Sequence, residues 1–244
     1  MIPLELLAEA RLAAGQTLTL HRRENRFALH LDRTAILSTE TSALEEAWAA
    51  LGIQIILQKK QPRVLLDGLL LGYALKHLAS GLPPKARISV CEPEQVLLRW
   101  HRAHLRDVHG ELIDDPRIRV ISKSLLDHLL RAPAYYDAVL INLDRSCSAG
   151  PNSSSHCLRR SDSSWHIVQQ GLRNGGRIVF WSETPEPARE RRLRRLGFAT
   201  DRHEISPRPG GRGRREFVTI AALPYISTAH GPVSFPQPGG KGDS

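Results

Sequence analysis

From Pro62 to Ala222 the chain repeats one arrangement, in which short unbroken apolar runs alternate with stretches whose apolar residues recur every three or four positions. Runs such as Val64-Leu65-Leu66 and Val139-Leu140-Ile141 are apolar on consecutive residues, so both faces of the strand they form must be covered. A strand buried on both sides and followed each time by a helix is the βαβ unit of a parallel sheet. The spacing predicts strands at 63–66, 87–91, 118–121, 138–143, 177–181 and 217–222, and helices at 70–80, 94–108, 125–130, 163–172 and 187–196. The expected fold is α/β: a Rossmann-like, mostly parallel sheet of about seven strands with helices on both faces.

A different pattern precedes it. Residues 4–12 are rich in Leu, Ala and Glu and predict a helix. Residues 17–21 and 27–32 read as strands, the second through the alternation Phe27-Ala28-Leu29-His30-Leu31, and Glu24-Asn25 supplies a turn between them. Leu44, Trp48, Leu51 and Ile55 then fall on one face of a helix spanning about 39–58. The expected organisation is an N-terminal helix, β-hairpin and connecting helix over 1–60, a Rossmann-like domain over 61–224, and a flexible Gly-rich tail over 225–244. Residues 146–164, dense in Ser, Asn, Gly and Pro, are expected to form a surface loop.

Composition excludes some classes. Hydrophobic residues make up 41% and charged residues 24% of the 244 positions, as in a globular protein. No apolar run approaches the roughly 20 residues of a membrane span. Acidic residues at Glu5 and Glu9 disagree with a secretory leader, so the expected location is cytoplasmic, with no membrane partner. Three cysteines make no disulfide framework, and Cys147, His156 and Cys157 lack the fourth ligand and paired spacing of a zinc site, so no metal is expected. The net charge of +9 comes largely from arginine. Arg189, Arg191, Arg192, Arg194, Arg195, Arg212, Arg214 and Arg215 are either solvated faces or phosphate contacts for nucleic acid. Few aromatic residues accompany them, which disfavours a single-strand stacking platform.

In an open α/β sheet the ligand lies beyond the C-terminal ends of the strands. Gly68 and Gly72 stand at the first strand-to-helix turn, where missing side chains let the backbone approach a nucleotide. Glu92 closes the second strand about twenty residues further on, where a carboxylate commonly accepts hydrogen bonds from a ribose diol. The same acid also reads as an exposed residue beside a helix N-terminus.

Taken in order, several features make the chain resemble the spermidine synthase-like (polyamine aminopropyltransferase-like) branch of the class I S-adenosylmethionine-dependent transferase fold. They are the acidic helix start Ser42-Ala43-Leu44-Glu45-Glu46 after β segments, the run 63–75, and the Glu92 strand tip. Asp115-Pro116-Arg117, Tyr136-Asp137-Ala138, and Gly175-Gly176 leading to Phe180-Trp181-Ser182 complete the set. The resemblance implies a site for S-adenosylmethionine or its decarboxylated form, with Gly68, Gly72, Glu92 and Ser124 around the cofactor. It implies transfer of an aminopropyl or methyl group to an acceptor such as an amine, with Asp144 as the catalytic candidate. Homodimer formation through 17–32 follows by the same analogy.

The chain departs from the family where the chemistry lies. Relatives have the turn Gly-Gly-Leu-Gly-Leu-Gly, but Asp67 and Leu70 replace two of its glycines. Leu70 either fills ligand space or forbids the backbone angle a glycine adopts. Lys123-Ser124 stands where relatives usually carry Gly-Asp, whose Asp reaches the adenine amino group. In Asn142-Leu143-Asp144-Arg145 the first of two acceptor-binding aspartates is an amide, and Arg145 would repel a polyamine. The expected protein binds the nucleoside with aminopropyl transfer weak, altered or lost. Two alternatives stand beside it: a methyltransferase, and a non-catalytic protein whose basic surface binds nucleic acid or an acidic partner.

Overall fold

The structure is a computed structural model that describes residues 4–144, 154–206 and 215–224. It opens with β1 (Glu5–Arg11), β2 (Thr17–Arg23), β3 (Arg26–Leu31) and β4 (Thr34–Ser38), an antiparallel meander in the order β1-β2-β3-β4. The helix expected at 4–12 is therefore a strand. Its helix-favouring residues yield to pairing with β2 from Arg11 opposite Thr17 to Glu5 opposite Arg22, with an ion pair of 2.8 Å between Arg22 and Glu5. Propensity is a weak prior that tertiary pairing overrides. The expected hairpin is present as β2 and β3, enlarged by a strand on each side.

Helix α1 (Ser42–Gln54) links this meander to β5 (Arg63–Asp67), α2 (Tyr73–Gly81) and β6 (Arg87–Cys91). Next come α3 (Gln95–His104), α4 (Arg106–His109), β7 (Ile118–Ile121), α5 (Leu125–Leu129) and β8 (Tyr136–Asn142). The described chain closes with α6 (Ser154–Arg160), α7 (Asp162–Gly171), β9 (Leu172–Ser182), α8 (Pro187–Arg195), β10 (Ala199–Ile205) and β11 (Glu216–Ala222). The second sheet has the order β10-β11-β9-β8-β5-β6-β7; it is parallel except at β11, which runs antiparallel to both β9 and β10. This is the expected Rossmann-like α/β fold, with seven strands in the main sheet among the described residues.

The double burial of the central strands is visible residue by residue. Val64, Leu66, Ala138, Leu140, Val179 and Trp181 point into a core shared with α1, α2, α3 and the inner face of the meander. Leu65, Val139, Ile141, Ile178 and Phe180 point the opposite way, into a core closed by α5, α6, α7 and α8. Trp48 of α1 ties the first layer to the sheet by donating its indole N–H to the Val179 carbonyl at 3.0 Å.

Three further expectations change. Ser154 to Arg160, read as part of a surface loop, is helical, with Leu158 fully buried and its carbonyl accepting the Trp165 indole N–H at 2.8 Å. The long helix expected at 94–108 breaks at Leu105, where ψ is 5°. Strand β10 was not foreseen at all, since Ala-Thr-Asp-Arg-His-Glu-Ile carries almost no apolar pattern. Residues 146–153 and the expected tail at 225–244 lie outside the described residues.

Candidate functional site

Four neighbouring parallel strands, β7, β6, β5 and β8, end on the same side of the sheet, and the residues singled out from sequence lie at those ends. Gly68 follows β5 at φ 90°, its N–H donating to the Cys91 carbonyl at 2.9 Å, and Gly72 precedes α2 at φ 88°. Glu92 follows β6 and is buried. Ser124 precedes α5, accepting the Asp127 N–H and donating its own hydroxyl to the Asp127 carboxylate at 2.6 Å. Asp144 lies just after β8.

Glu92 is held by the backbone on both oxygens. Oε2 accepts the Leu69 N–H and Oε1 the Glu94 N–H, each at 2.9 Å. A carboxylate offers about four lone-pair positions, so about two stay open for further donors. Burial pushes the Glu92 carboxyl up to about 7, although the two amide N–H groups pull it down. Asp67, partly buried at the tip of β5, is pushed up to about 8 by burial and then by the Glu92 charge, while the Asn142 backbone N–H acts in the other direction. Burial, and then the Asp67, Glu92 and Asp127 charges, push the Cys91 thiol up, so it is no nucleophile here.

Leu70 does not forbid the glycine angle; it takes that angle, at a cost. Leu70 adopts φ 53°, the left-handed angle suited to glycine, and its side chain is buried. A Cβ built on Gly68 would lie 3.5 Å from Leu70 Cδ2 and 3.9 Å from Glu92 Oε2, so the leucine stands beside the carboxylate over the turn. The glycine-type turn persists, strained at Leu70 by on the order of 1–2 kcal/mol.

Two histidines missed in the sequence brace the same turn from behind. The His101 and His109 rings lie 5.8 Å apart with an interplanar angle of 25°. His101 Nε2 is 3.0 Å from the Leu70 carbonyl, and His109 Nε2 bonds the Leu71 carbonyl. In an unbroken helix residues eight apart are separated by about 12 Å along the axis, so the break at Leu105 is what brings the rings together. Burial lowers both imidazoles to about 4.

Asp144, the catalytic candidate, is committed. Its Oδ2 accepts the Glu183 N–H at 2.7 Å, and its Oδ1 pairs with Arg159 of α6. Arg145 lies outside the described residues, and Arg159 supplies the positive charge instead. Asn142 is buried at the end of β8. In α8, Arg189 pairs with Glu186 at 3.0 Å, Arg194 with Glu190 at 3.3 Å, and Arg192 with Asp162, while Arg215 pairs with Glu204. These four arginines are engaged within the protein, and Arg189 is buried rather than on a solvated face; Arg212 and Arg214 lie outside the described residues. No helix among the described residues is long and apolar enough to cross a membrane.

No known family profile matches the sequence, and no curated protein matches it. Solved structures do match in shape. The spermidine synthase from Thermotoga maritima shares 14% identity over 91% of this chain and 74% of its own, with a TM-score of 0.70. A spermidine synthase in complex with the transition-state analogue AdoDATO shares 15% over 91% of this chain and 73% of its own, at a TM-score of 0.69. A precorrin-6y C5,15-methyltransferase from Geobacter metallireducens shares 15% over 72% of this chain and 87% of its own, at 0.52. At such identities the likeness establishes the fold, that of the spermidine synthase-like transferases.

Proposed function

We propose that this chain binds an adenosine-type nucleoside of the S-adenosylmethionine class and does not efficiently transfer an aminopropyl group to a polyamine. The observation that carries the first half is Glu92: a buried carboxylate at the tip of β6, fixed by two amide N–H groups and left with acceptor positions for a ribose diol. A structural neighbour of the same fold is a spermidine synthase in complex with AdoDATO, which supports a nucleoside ligand of this kind. Around the nucleoside, Gly68 and Gly72 would give the backbone its close approach, and Ser124 would stand beside the base. Leu70 narrows the space over the turn, which favours a ligand with a short substituent at sulfur.

The chemistry a sulfonium supplies is a carbon that accepts an in-line attack. What the protein must add is a held nucleophile and a group to take its proton. Asn142 has no basic site, and Asp144 already neutralises Arg159. A polyamine cation would have to displace that guanidinium. Methyl transfer is the second reading, favoured by the methyltransferase among the structural neighbours and by its having no need of a polyamine-binding carboxylate.

The test is calorimetric titration with S-adenosylmethionine, its decarboxylated form and methylthioadenosine, with Glu92→Ala as the reference. Micromolar binding that Glu92→Ala abolishes supports the nucleoside site, and the preferred ligand separates the two transfers. Absence of binding by all three ligands removes the reading.

A further inference from the structure

His101 and His109 make no contact assigned to the nucleoside, yet they grip the turn beneath it at two consecutive carbonyls. A carbonyl oxygen only accepts, so both rings carry their proton on Nε2. His109 Nδ1 is buried without a hydrogen-bond partner among the described residues, which keeps that ring neutral. The rings and turn also interlock sterically: a Cβ on Gly72 would stand 2.8 Å from His101 Cε1 and 3.1 Å from His109 Nε2. Tyr73 adds an edge-to-face contact with His109 at 5.2 Å and donates its hydroxyl to Thr39 at 3.0 Å, closing the brace on the α1 side.

The gripped segment is the strained one. Leu70 pays for its left-handed angle, and without a restraint a leucine would relax from it. Because a trans peptide sets N–H opposite to C=O, carbonyls drawn toward the histidines turn the Leu71 and Gly72 N–H groups away from them. One residue earlier, the Leu69 N–H is the donor that fixes Glu92 Oε2.

We propose that His101 and His109 are positioning residues: they hold residues 70–72 in the left-handed turn and, through the Leu69 N–H, fix the Glu92 carboxylate for its ligand. The ligand part rests on the nucleoside reading above; the brace itself does not. Through this brace the far end of the broken helix α3–α4 controls the shape of the site.

Glutamine can donate from its amide where Nε2–H stands, whereas leucine fills space without donating. The experiment compares His101→Gln with His101→Leu and His109→Gln with His109→Leu. It reads methylthioadenosine affinity by calorimetry, amide hydrogen exchange of residues 68–73 by NMR in the ligand-free protein, and thermal midpoint. The leucine variants should weaken binding about tenfold and speed exchange at Leu69 by a similar factor, as the loss of one buried hydrogen bond implies. The glutamine variants should recover most of both at a similar thermal midpoint. Equal behaviour of Gln and Leu, or exchange unchanged in all four, overturns the proposal. If the wild-type protein binds no nucleoside, the proposed function fails and the exchange measurement alone decides the brace.

Discussion

Arg159 and Asp144 form an ion pair that joins helix α6 to the end of β8, and the same guanidinium donates to the Leu143 carbonyl at 2.8 Å. The pairing puts a cation at the position where an amine-binding carboxylate would otherwise be free. It connects a segment of low sequence complexity to the end of a central strand, and so makes the setting of Asp144 depend on α6.

Arg159→Gln should therefore release Asp144 while leaving Oδ2 on the Glu183 N–H. The pair is partly exposed, so the stability cost is on the order of 1 kcal/mol, a thermal shift of about 2–4 °C. Titration with a diamine should show tighter binding than in the wild type. Unchanged affinity would mean that Asp144 does not face an acceptor.

Leu70 gives an inverted prediction at a single position. Leu70→Ala loses side-chain burial and keeps the strain, whereas Leu70→Gly loses burial and removes the strain. Glycine should be the more stable variant by about 1 kcal/mol in urea unfolding. It should also bind methylthioadenosine more tightly than the wild type, because space opens beside Glu92. Greater stability of the alanine variant would show that Leu70 is not held at positive φ.

The buried acids and histidines set a pH window. Asp67 and Glu92 are raised to about 8 and about 7 from ordinary values of 3.8 and 4.5, so the stability they confer is complete below those ordinary values and is lost as pH rises through 7 to 8. His101 and His109, lowered to about 4 from 6.5, act in reverse: their stability is present above 6.5 and is lost as pH falls through about 4. The two pairs oppose each other between about 4.5 and 6.5, where stability should be nearly level. Above 6.5 the acids alone act, so urea stability should fall toward pH 8.5, and less steeply in Asp67→Asn. An equal fall in that variant would remove Asp67 as the cause.

Asp137, at the opposite end of the sheet, anchors three groups with a fully buried carboxylate: the Arg63 N–H at 2.8 Å, Lys59 at 3.0 Å and Arg173 at 3.4 Å. Asp137→Ala takes the acceptor from the Arg63 N–H and frees two partly exposed cations, and should cost about 1–3 kcal/mol in urea unfolding. Asp137→Asn should cost less, since its amide oxygen still accepts the Arg63 N–H. Equal losses would locate the effect in charge rather than in that hydrogen bond.

The central strands were legible because double burial writes itself as consecutive apolar residues; β6 and β7 were foreseen at their observed bounds. The edges were not. Strand β1 is built from helix formers and β10 from polar residues, and both exist because a neighbouring strand offers its backbone. At the site, Glu92 could be read from its position at a strand tip, and Leu70 from its place in the glycine turn. Arg159 could not, being 15 residues from its partner and inside a stretch read as loop. The histidine brace was hidden because a continuous helical pattern gives no sign of the break at Leu105.

Among the described residues strand β10 pairs with β11 alone, and β11 is also what covers the outer edge of β9. During synthesis, then, both of these earlier strands emerge before the segment that joins them. Until residues 216–222 arrive, the nascent chain carries an open edge on β9 and an unpaired β10, the kind of exposed backbone that recruits other chains. The antiparallel insertion thus makes completion of the sheet a late event, and it makes the interval before it the period in which this protein most needs protection from its neighbours.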